Sequence, residues 1–151
     1  MDRIDHGIVE SLLADGRATY AKIGQHVGLS LAATKRRVDR MVRDGVIRGF
    51  TAVVDPQVLG WNIEAHLRVF TTGAVPFATM RSDLESMPEI VEAFTAAGPA
   101  DAVLRVVAAD MAHLERVISL VRGLPYVQQT DTTLLLSTLV HRPMGDANWE
   151  R

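Results

Sequence analysis

The 151-residue chain contains no cysteine. Disulfide bonds, thiolate nucleophiles and cysteine-based metal sites are therefore excluded. It has no apolar run of the roughly 18 residues that a membrane-spanning helix requires. Asp2 and Asp5 interrupt the N-terminus and no apolar core follows, so a signal peptide is not expected. Catalytic signatures are missing as well: no Gly-x-Ser-x-Gly, no Walker A loop and no Gly-x-Gly-x-x-Gly occurs. His6, His26, His66, His113 and His141 are scattered, without an i, i+4 pair or a carboxylate at ligand spacing. These gaps imply a soluble, cytoplasmic protein with no cofactor, no metal and no enzymatic activity.

What the chain does have is an uneven charge. The net charge is −2, which by itself argues against a polyanionic partner. Residues 1–54, however, hold nine Lys or Arg against six Asp or Glu, a balance of +3. Residues 55–151 hold seven against twelve, a balance of −5. A basic part that meets nucleic acid, joined to an acidic part with another task, fits this asymmetry.

The basic part is organised around Thr19 to Ile47. Ala21, Ile23 and Val27 give a short helix one buried side, and Gly28 supplies a left-handed turn residue. Leu29 plugs the corner and Ser30 caps the next helix, expected from Leu31 to Arg43. Thr34, Val38, Met41 and Val42 make its apolar stripe. At roughly 100° per residue, Ala32, Ala33, Arg36, Arg40 and Arg43 lie opposite, flanked by Lys35 and Arg37. Small residues at the tip and long cations one and two turns later suit a helix that enters a major groove. An Arg-rich face alone is also what a merely solvated helix presents. The short helix, glycine corner and serine cap before it favour the DNA-reading alternative. Gly45 closes the helix, and Val46 to Val54 is strand-like, where a wing would sit. Thr19 and Tyr20, at the start of the first helix of the pair, are candidates for phosphate contact, Tyr20 being equally a core residue.

Before this unit, Asp2 is a candidate cap for a helix whose stripe is Ile4, Ile8, Val9, Leu12 and Leu13, stopped by Asp15-Gly16. After it, Pro56 to Asn62 reads as a linker, with Trp61 either over a seam or simply packed. The second half follows another period. Strands are expected at Ile63–Thr72, Glu89–Ala97, Ala102–Ala109 and Tyr126–His141. Helices carry the stripes Phe77, Met80, Leu84, Met87 and Met111, Leu114, Val117, Ile118, Val121. The order βαββαβ predicts a ferredoxin-like sandwich with both helices on one face of an antiparallel sheet. Leu134, Leu135, Leu136, Leu139 and Val140 make the last strand apolar on both sides, and Val103 and Val107 oppose Leu104 and Val106. A sheet so built would be covered by a second copy, which predicts a dimer. The expected plan is α+β: residues 1–54 a helix-turn-helix with a wing, 55–62 a linker, 63–142 the sandwich and 143–151 a loose tail.

Several short stretches together resemble the Lrp/AsnC (feast/famine) transcription regulators. They are Asp-Arg-Ile-Asp at residues 2–5, Val-Gly-Leu-Ser at 27–30, Arg37-Val38 with Met41, and Asp44-Gly45-Val46-Ile47. Phe50-Thr51-Ala52, Asp55-Pro56, Leu59-Gly60 and Leu124-Pro125-Tyr126-Val127 follow, with Tyr126 where the family has glycine. The resemblance runs from Asp2 to about His141. It implies a winged helix-turn-helix on a RAM/ACT-like effector domain, homodimers that assemble further, often to octamers, and control by an amino acid or similar metabolite. The family's Gly-Asp-x-Asp effector motif falls on Gly98, Pro99, Ala100 and Asp101, and its late-strand aromatic on Thr133. Gly98, Asp101, Met111 and Thr133 are the candidate effector residues. Pro99 offers neither carboxylate nor amide hydrogen, which points to a different effector or to none, and Gly98 and Asp101 also suit a plain turn.

The expected function is a nucleoid-associated transcription regulator that reads double-stranded DNA through Thr19, Tyr20, Ser30, Ala32, Ala33, Lys35, Arg36, Arg37, Arg40 and Arg43. Lys35, Arg36 and Arg40 are assigned to the groove, and Arg37, Arg43 and Thr19 to the backbone. The alternatives are an architectural DNA binder with little sequence preference and no effector, and a metabolite-binding module whose first half serves protein contacts.

Overall fold

The computed structural model describes residues 1–140, which form two compact units, Met1–Val53 with residues 139–140, and Val54–Thr138. In the first, three helices follow one another: α1 (Arg3–Ala14), α2 (Tyr20–Val27) and α3 (Leu31–Arg43). Their apolar stripes meet in one core of Ile8, Ile23, Val38 and Met41, with Ile4, Val9, Leu12, Tyr20, Val27 and Leu29 packed around it. Each stripe is narrower than its spacing suggests. Leu13, Ala21 and Val42 are exposed, because three helices meeting at a point cover only the central residues of each face.

The wing strand does not form. Val46–Val54 has no strand pairing, Phe50 is exposed and Val53 is 92% exposed. The segment is strand-like in composition, but a ladder needs a partner strand, and the described residues of this unit supply none. A single 3₁₀ turn follows at Pro56–Leu59, capped by Asp55 and ended by Gly60 in the left-handed region. Trp61 packs tilted against the His113 ring, with centroids 6.0 Å apart, which is the plain-packing alternative.

The second unit runs β1 (Ile63–Thr71), α4 (Phe77–Glu85), β2 (Ile90–Thr95), β3 (Ala102–Ala108), α5 (Met111–Arg122) and β4 (Val127–Leu135). The strands are antiparallel in the order β2-β3-β1-β4, as the βαββαβ reading predicts. Ala65, Leu67 and Val69 of β1 and Ala102, Leu104, Val106 and Ala108 of β3 face Met80 and Leu84 of α4 and Leu114, Val117 and Val121 of α5. Both helices therefore cover one face. Phe77 and Met111, placed in the helix stripes by spacing, are exposed at the first position of each helix, where the chain has not yet come over the sheet.

The other face is not the apolar surface that the sequence suggests. Register puts Glu64 between Val107 and Leu135, His66 between Arg105 and Thr133, and Arg68 between Val103 and Asp131. Arg105 pairs with Glu64 at 2.5 Å and with Glu92 at 3.7 Å, and Arg68 pairs with Asp131. Charged ladders thus interleave with Val103, Val107 and Phe94. β4 ends at Leu135, so Leu136, Leu139 and Val140 lie beyond the sheet and are exposed. Alternation alone counted them as strand. His141 and the tail 143–151 lie outside the described residues.

Candidate nucleic-acid interface and effector region

Helix α1 begins in a reciprocal cap: the Asp5 amide donates to Asp2 Oδ1 at 2.8 Å, and the Asp2 amide to Asp5 Oδ2 at 3.1 Å. Thr19 caps α2, its hydroxyl accepting from the Lys22 amide at 3.2 Å. Gly28 then turns the chain at φ 73°, and the Leu29 amide closes on the Gly24 carbonyl at 2.8 Å. Ser30 caps α3 by accepting from the Ala33 amide at 3.2 Å. At the far end, Gly45 is left-handed, and the Val46 and Ile47 amides donate to the Met41 carbonyl at 2.9 and 3.1 Å. Both ends of α3 are thus satisfied locally, and its direction is set by the corner at Gly28.

Thr34, Val38 and Met41 are buried under this helix. Ala32, Lys35, Arg36, Asp39, Arg40 and Arg43 are exposed. Asp39 is an acid on the free face that a search for cations passes over. It accepts from Lys35 Nζ at 2.6 Å, which raises the Lys35 pKa. Arg36 and Arg43 have no carboxylate partner among the described residues.

Arg37 and Arg40 are placed differently from the sequence reading. Helical periodicity sets Arg40 on the free face and Arg37 beside it. In the structure Arg37 Nη1 lies 2.7 Å from Asp2 Oδ2 and 2.8 Å from Asp5 Oδ1, and Arg40 Nη2 lies 2.7 Å from Asp5 Oδ2. Arg37 is only 26% exposed at its side chain, and Arg40 44%. Both guanidiniums bend back to α1. Periodicity gives the direction of a Cβ, and a long flexible side chain then follows the nearest opposite charge.

The Arg37 hydrogen bond, with the Asp5 amide, holds the Asp2 carboxyl down to about 2. Burial pushes the Asp5 carboxyl up, but hydrogen bonds from Arg37 and the Asp2 amide outweigh it and leave it below the usual range. A depressed carboxyl stabilises the fold at pH values above its unfolded pKa of about 3.8 and loses that effect as pH falls toward 2. Acid titration of the first unit's helical signal is therefore expected to show a loss between about pH 4 and pH 2, and Asp2→Asn to flatten it. A curve that is the same in both proteins would show that Asp2 carries none of the acid dependence.

Tyr20 is half-buried against the core and Thr19 is exposed. Of the four candidate effector residues, Gly98 and Asp101 sit in the β2–β3 loop, where the loop meets the end of β1. Asp101 Oδ2 accepts from the Thr71 amide at 2.7 Å, and the Asp101 amide donates to the Val69 carbonyl at 2.9 Å. This pins the loop to β1. A Cβ at Gly98 would meet open space, so packing does not demand glycine there. Met111 lies past the opposite end of β3, about 20 Å away at roughly 3.4 Å per residue. Thr133 lies opposite His66, also away from the loop. One chain does not bring the four together. Beside Asp101 is a cleft of about 530 Å³ lined by Thr71, Val75, Phe77, Met80 and Thr95.

The two units each match a family pattern: winged helix-turn-helix DNA-binding over residues 1–48, and the Lrp/AsnC ligand binding domain over residues 64–144. The chain belongs to the Lrp/AsnC family. It is 44% identical over 94% of its length to the HTH-type transcriptional regulator Rv2324 of Mycobacterium tuberculosis, covering 96% of that protein. Among solved structures it is similar to Escherichia coli AsnC, with TM-score 0.87 and 26% identity over 96% of this chain and 98% of that one. It is also similar to the Mycobacterium tuberculosis leucine response regulatory protein LrpA, with TM-score 0.84 and 28% identity over 93% and 96% of the two chains. As an Lrp/AsnC-type transcriptional regulator, with a helix-turn-helix domain and a ligand-binding domain, this chain is not an enzyme.

Against this Lrp/AsnC background, sequence reasoning missed three residues. Asp5 was visible only as part of the opening motif, and Asp39 only as an i+4 partner of Lys35. Gly24 has φ in the ordinary helical range, yet a Cβ there would lie 2.5 Å from the Leu29 carbonyl oxygen and 2.9 Å from Thr34 Oγ1. Nothing in its neighbouring residues announces that approach.

Proposed function

We propose that this Lrp/AsnC chain is a cytoplasmic, nucleoid-associated regulator that binds duplex DNA sequence-specifically through α3 and answers to an amino acid or related small metabolite. The observation that carries the DNA half is the free face of α3: small Ala32 near the capped tip, then Arg36 one turn on, exposed and without a carboxylate partner among the described residues. A slim tip followed by a guanidinium is what a bidentate contact to guanine in the major groove requires. Lys35 joins Arg36 in the groove once its exposed pair with Asp39 opens, which costs little. Thr19, Tyr20, Ser30, Ala33 and Arg43 contact the backbone, and Arg37 and Arg40 support from their ion pairs.

Arg36→Ala tests this directly. Affinity for a duplex selected by the wild-type protein from a random pool is expected to fall by about 1–3 kcal/mol, with a smaller loss on a scrambled duplex of equal length. An equal loss on both assigns Arg36 to phosphate. A wild-type ratio near one between the two duplexes favours the architectural binder.

For the effector half, Asp101 offers an anionic acceptor beside a cleft walled by Val75, Phe77 and Met80, a pairing suited to an ammonium group with an apolar neighbour. The mycobacterial neighbour is a leucine response regulatory protein. Because Met111 and Thr133 lie far from Gly98 and Asp101, a site built from all four takes contributions from more than one copy. That supports homodimers assembling further, as to an octamer. Thermal shift against an amino-acid panel, read beside light scattering, tests both parts. A monomer that no amino acid stabilises would remove them.

A further inference from the structure

We propose that Asp5 is a positioning residue for DNA recognition: it holds Arg37 and Arg40 as a fixed pair and withholds them from phosphate, so that sequence-independent attraction is kept low and discrimination high. The inference rests on the reading that α3 meets duplex DNA.

The Asp5 side chain is 2% exposed, on α1, behind the helix that carries the cations. Its Oδ1 accepts from Arg37 Nη1 at 2.8 Å and Arg40 Nη2 at 2.8 Å, and its Oδ2 from Arg40 Nη2 at 2.7 Å and the Asp2 amide at 3.1 Å. Both oxygens are fully engaged. Asp2 adds a second carboxylate to Arg37 at 2.7 Å. Two acids and two guanidiniums therefore form one neutral cluster, and it spans 32 to 35 residues of sequence.

Capping does not require this. A capping acid satisfies orphan amides and leaves its charge to solvent, whereas Asp5 is sealed under α3. Nor is the cluster like the Lys35–Asp39 pair, whose side chains are 55% and 49% exposed and which water and salt loosen. A guanidinium held by a desolvated carboxylate must give up charge-assisted hydrogen bonds before it reaches a phosphate. Sequence-independent DNA binding is phosphate neutralisation, so each cation so held is removed from that sum. Five cations on α3 then act electrostatically as fewer, and the contacts that depend on base identity make up a larger share of the total.

The test uses the full-length protein and two probes, the duplex selected by the wild type and its scrambled counterpart, across a salt titration. Asp5→Asn is expected to bind the scrambled duplex about threefold or more tightly, with a salt slope steeper by roughly 0.9 per guanidinium freed. The preference for the selected duplex falls by a similar factor. In an Arg40→Gln background the gain from Asp5→Asn shrinks. If Asp5→Asn instead weakens both duplexes equally and leaves the salt slope unchanged, the residue is structural only and the proposal is overturned. Should Asp5→Asn fail to fold by circular dichroism, Arg40→Gln in the wild-type background decides, because it leaves the α1 cap intact and removes a cation that the proposal holds away from phosphate. An unchanged salt slope on the scrambled duplex supports the proposal, and a slope shallower by roughly 0.9 overturns it. A wild-type protein that shifts neither duplex at low salt fails at the earlier step, the DNA reading itself, and takes this inference with it.

Discussion

Gly24→Ala is expected to destabilise the N-terminal unit by about 2–3 kcal/mol and to abolish DNA binding at protein concentrations that saturate the wild type. Two effects oppose each other. Alanine in place of glycine inside a helix contributes about 1 kcal/mol of stability through propensity. Against that, the added Cβ would stand 2.5 Å from the Leu29 carbonyl oxygen, a backbone atom fixed by the turn, and 2.9 Å from the buried Thr34 hydroxyl. A flexible side chain could give way cheaply, but the Leu29 backbone, held at the corner by its own amide's bond to the Gly24 carbonyl, cannot. The clash wins, and relief comes only by moving α3 away from α2. Gly28→Ala makes the useful contrast. Its φ is 73° and its Cβ would meet nothing within 4 Å, so the cost is the left-handed strain alone, roughly 1–2 kcal/mol. Urea denaturation followed by circular dichroism measures both. A Gly24→Ala protein as stable as the wild type would mean that α2 and the corner do not approach this closely.

Leu104→Ala is the second large effect, in the other unit. Leu104 is fully buried on β3, flanked by Leu67 of β1 and Ala93 of β2, and roofed by the helices. Truncation removes buried apolar surface and leaves a cavity in a rigid sheet, so a loss of about 3–4 kcal/mol is expected in the same denaturation experiment. Val103→Ala, one residue away on the mixed face and only half-buried, is expected to cost about 1 kcal/mol. Similar losses at the two positions would mean that the open face carries a core of its own. That outcome would return weight to the apolar face inferred from strand alternation.

These two cases also divide what the local sequence encodes from what it does not. The caps at Asp2 and Ser30 were legible, because a capping side chain answers amides two or three residues away. So were Gly28 and the βαββαβ order, which follow from turn chemistry and from a change of period between residues 54 and 63. The strand expected at Val46–Val54 was misread because strand composition is local while strand pairing is not. The open face was misread for a related reason. Val103 and Val107 were counted along their own strand, whereas Glu64, Arg105, Glu92, Arg68 and Asp131 come together only once four strands are in register. The candidate DNA residues were found by periodicity, but the departure of Arg37 and Arg40 toward Asp5 was not.

The amino-acid sequence alone determined the order of the elements, their caps and corner, and the face of each helix that turns inward. All of these depend on residues within a few positions of one another. Tertiary structure alone decided which cations on α3 stay free, why Gly24 has no room for a side chain, and what the uncovered sheet face carries. Those outcomes depend on groups more than thirty residues apart, or on one helix pressing on another. Their energies are set by the distance and burial that packing creates, and no local pattern encodes either.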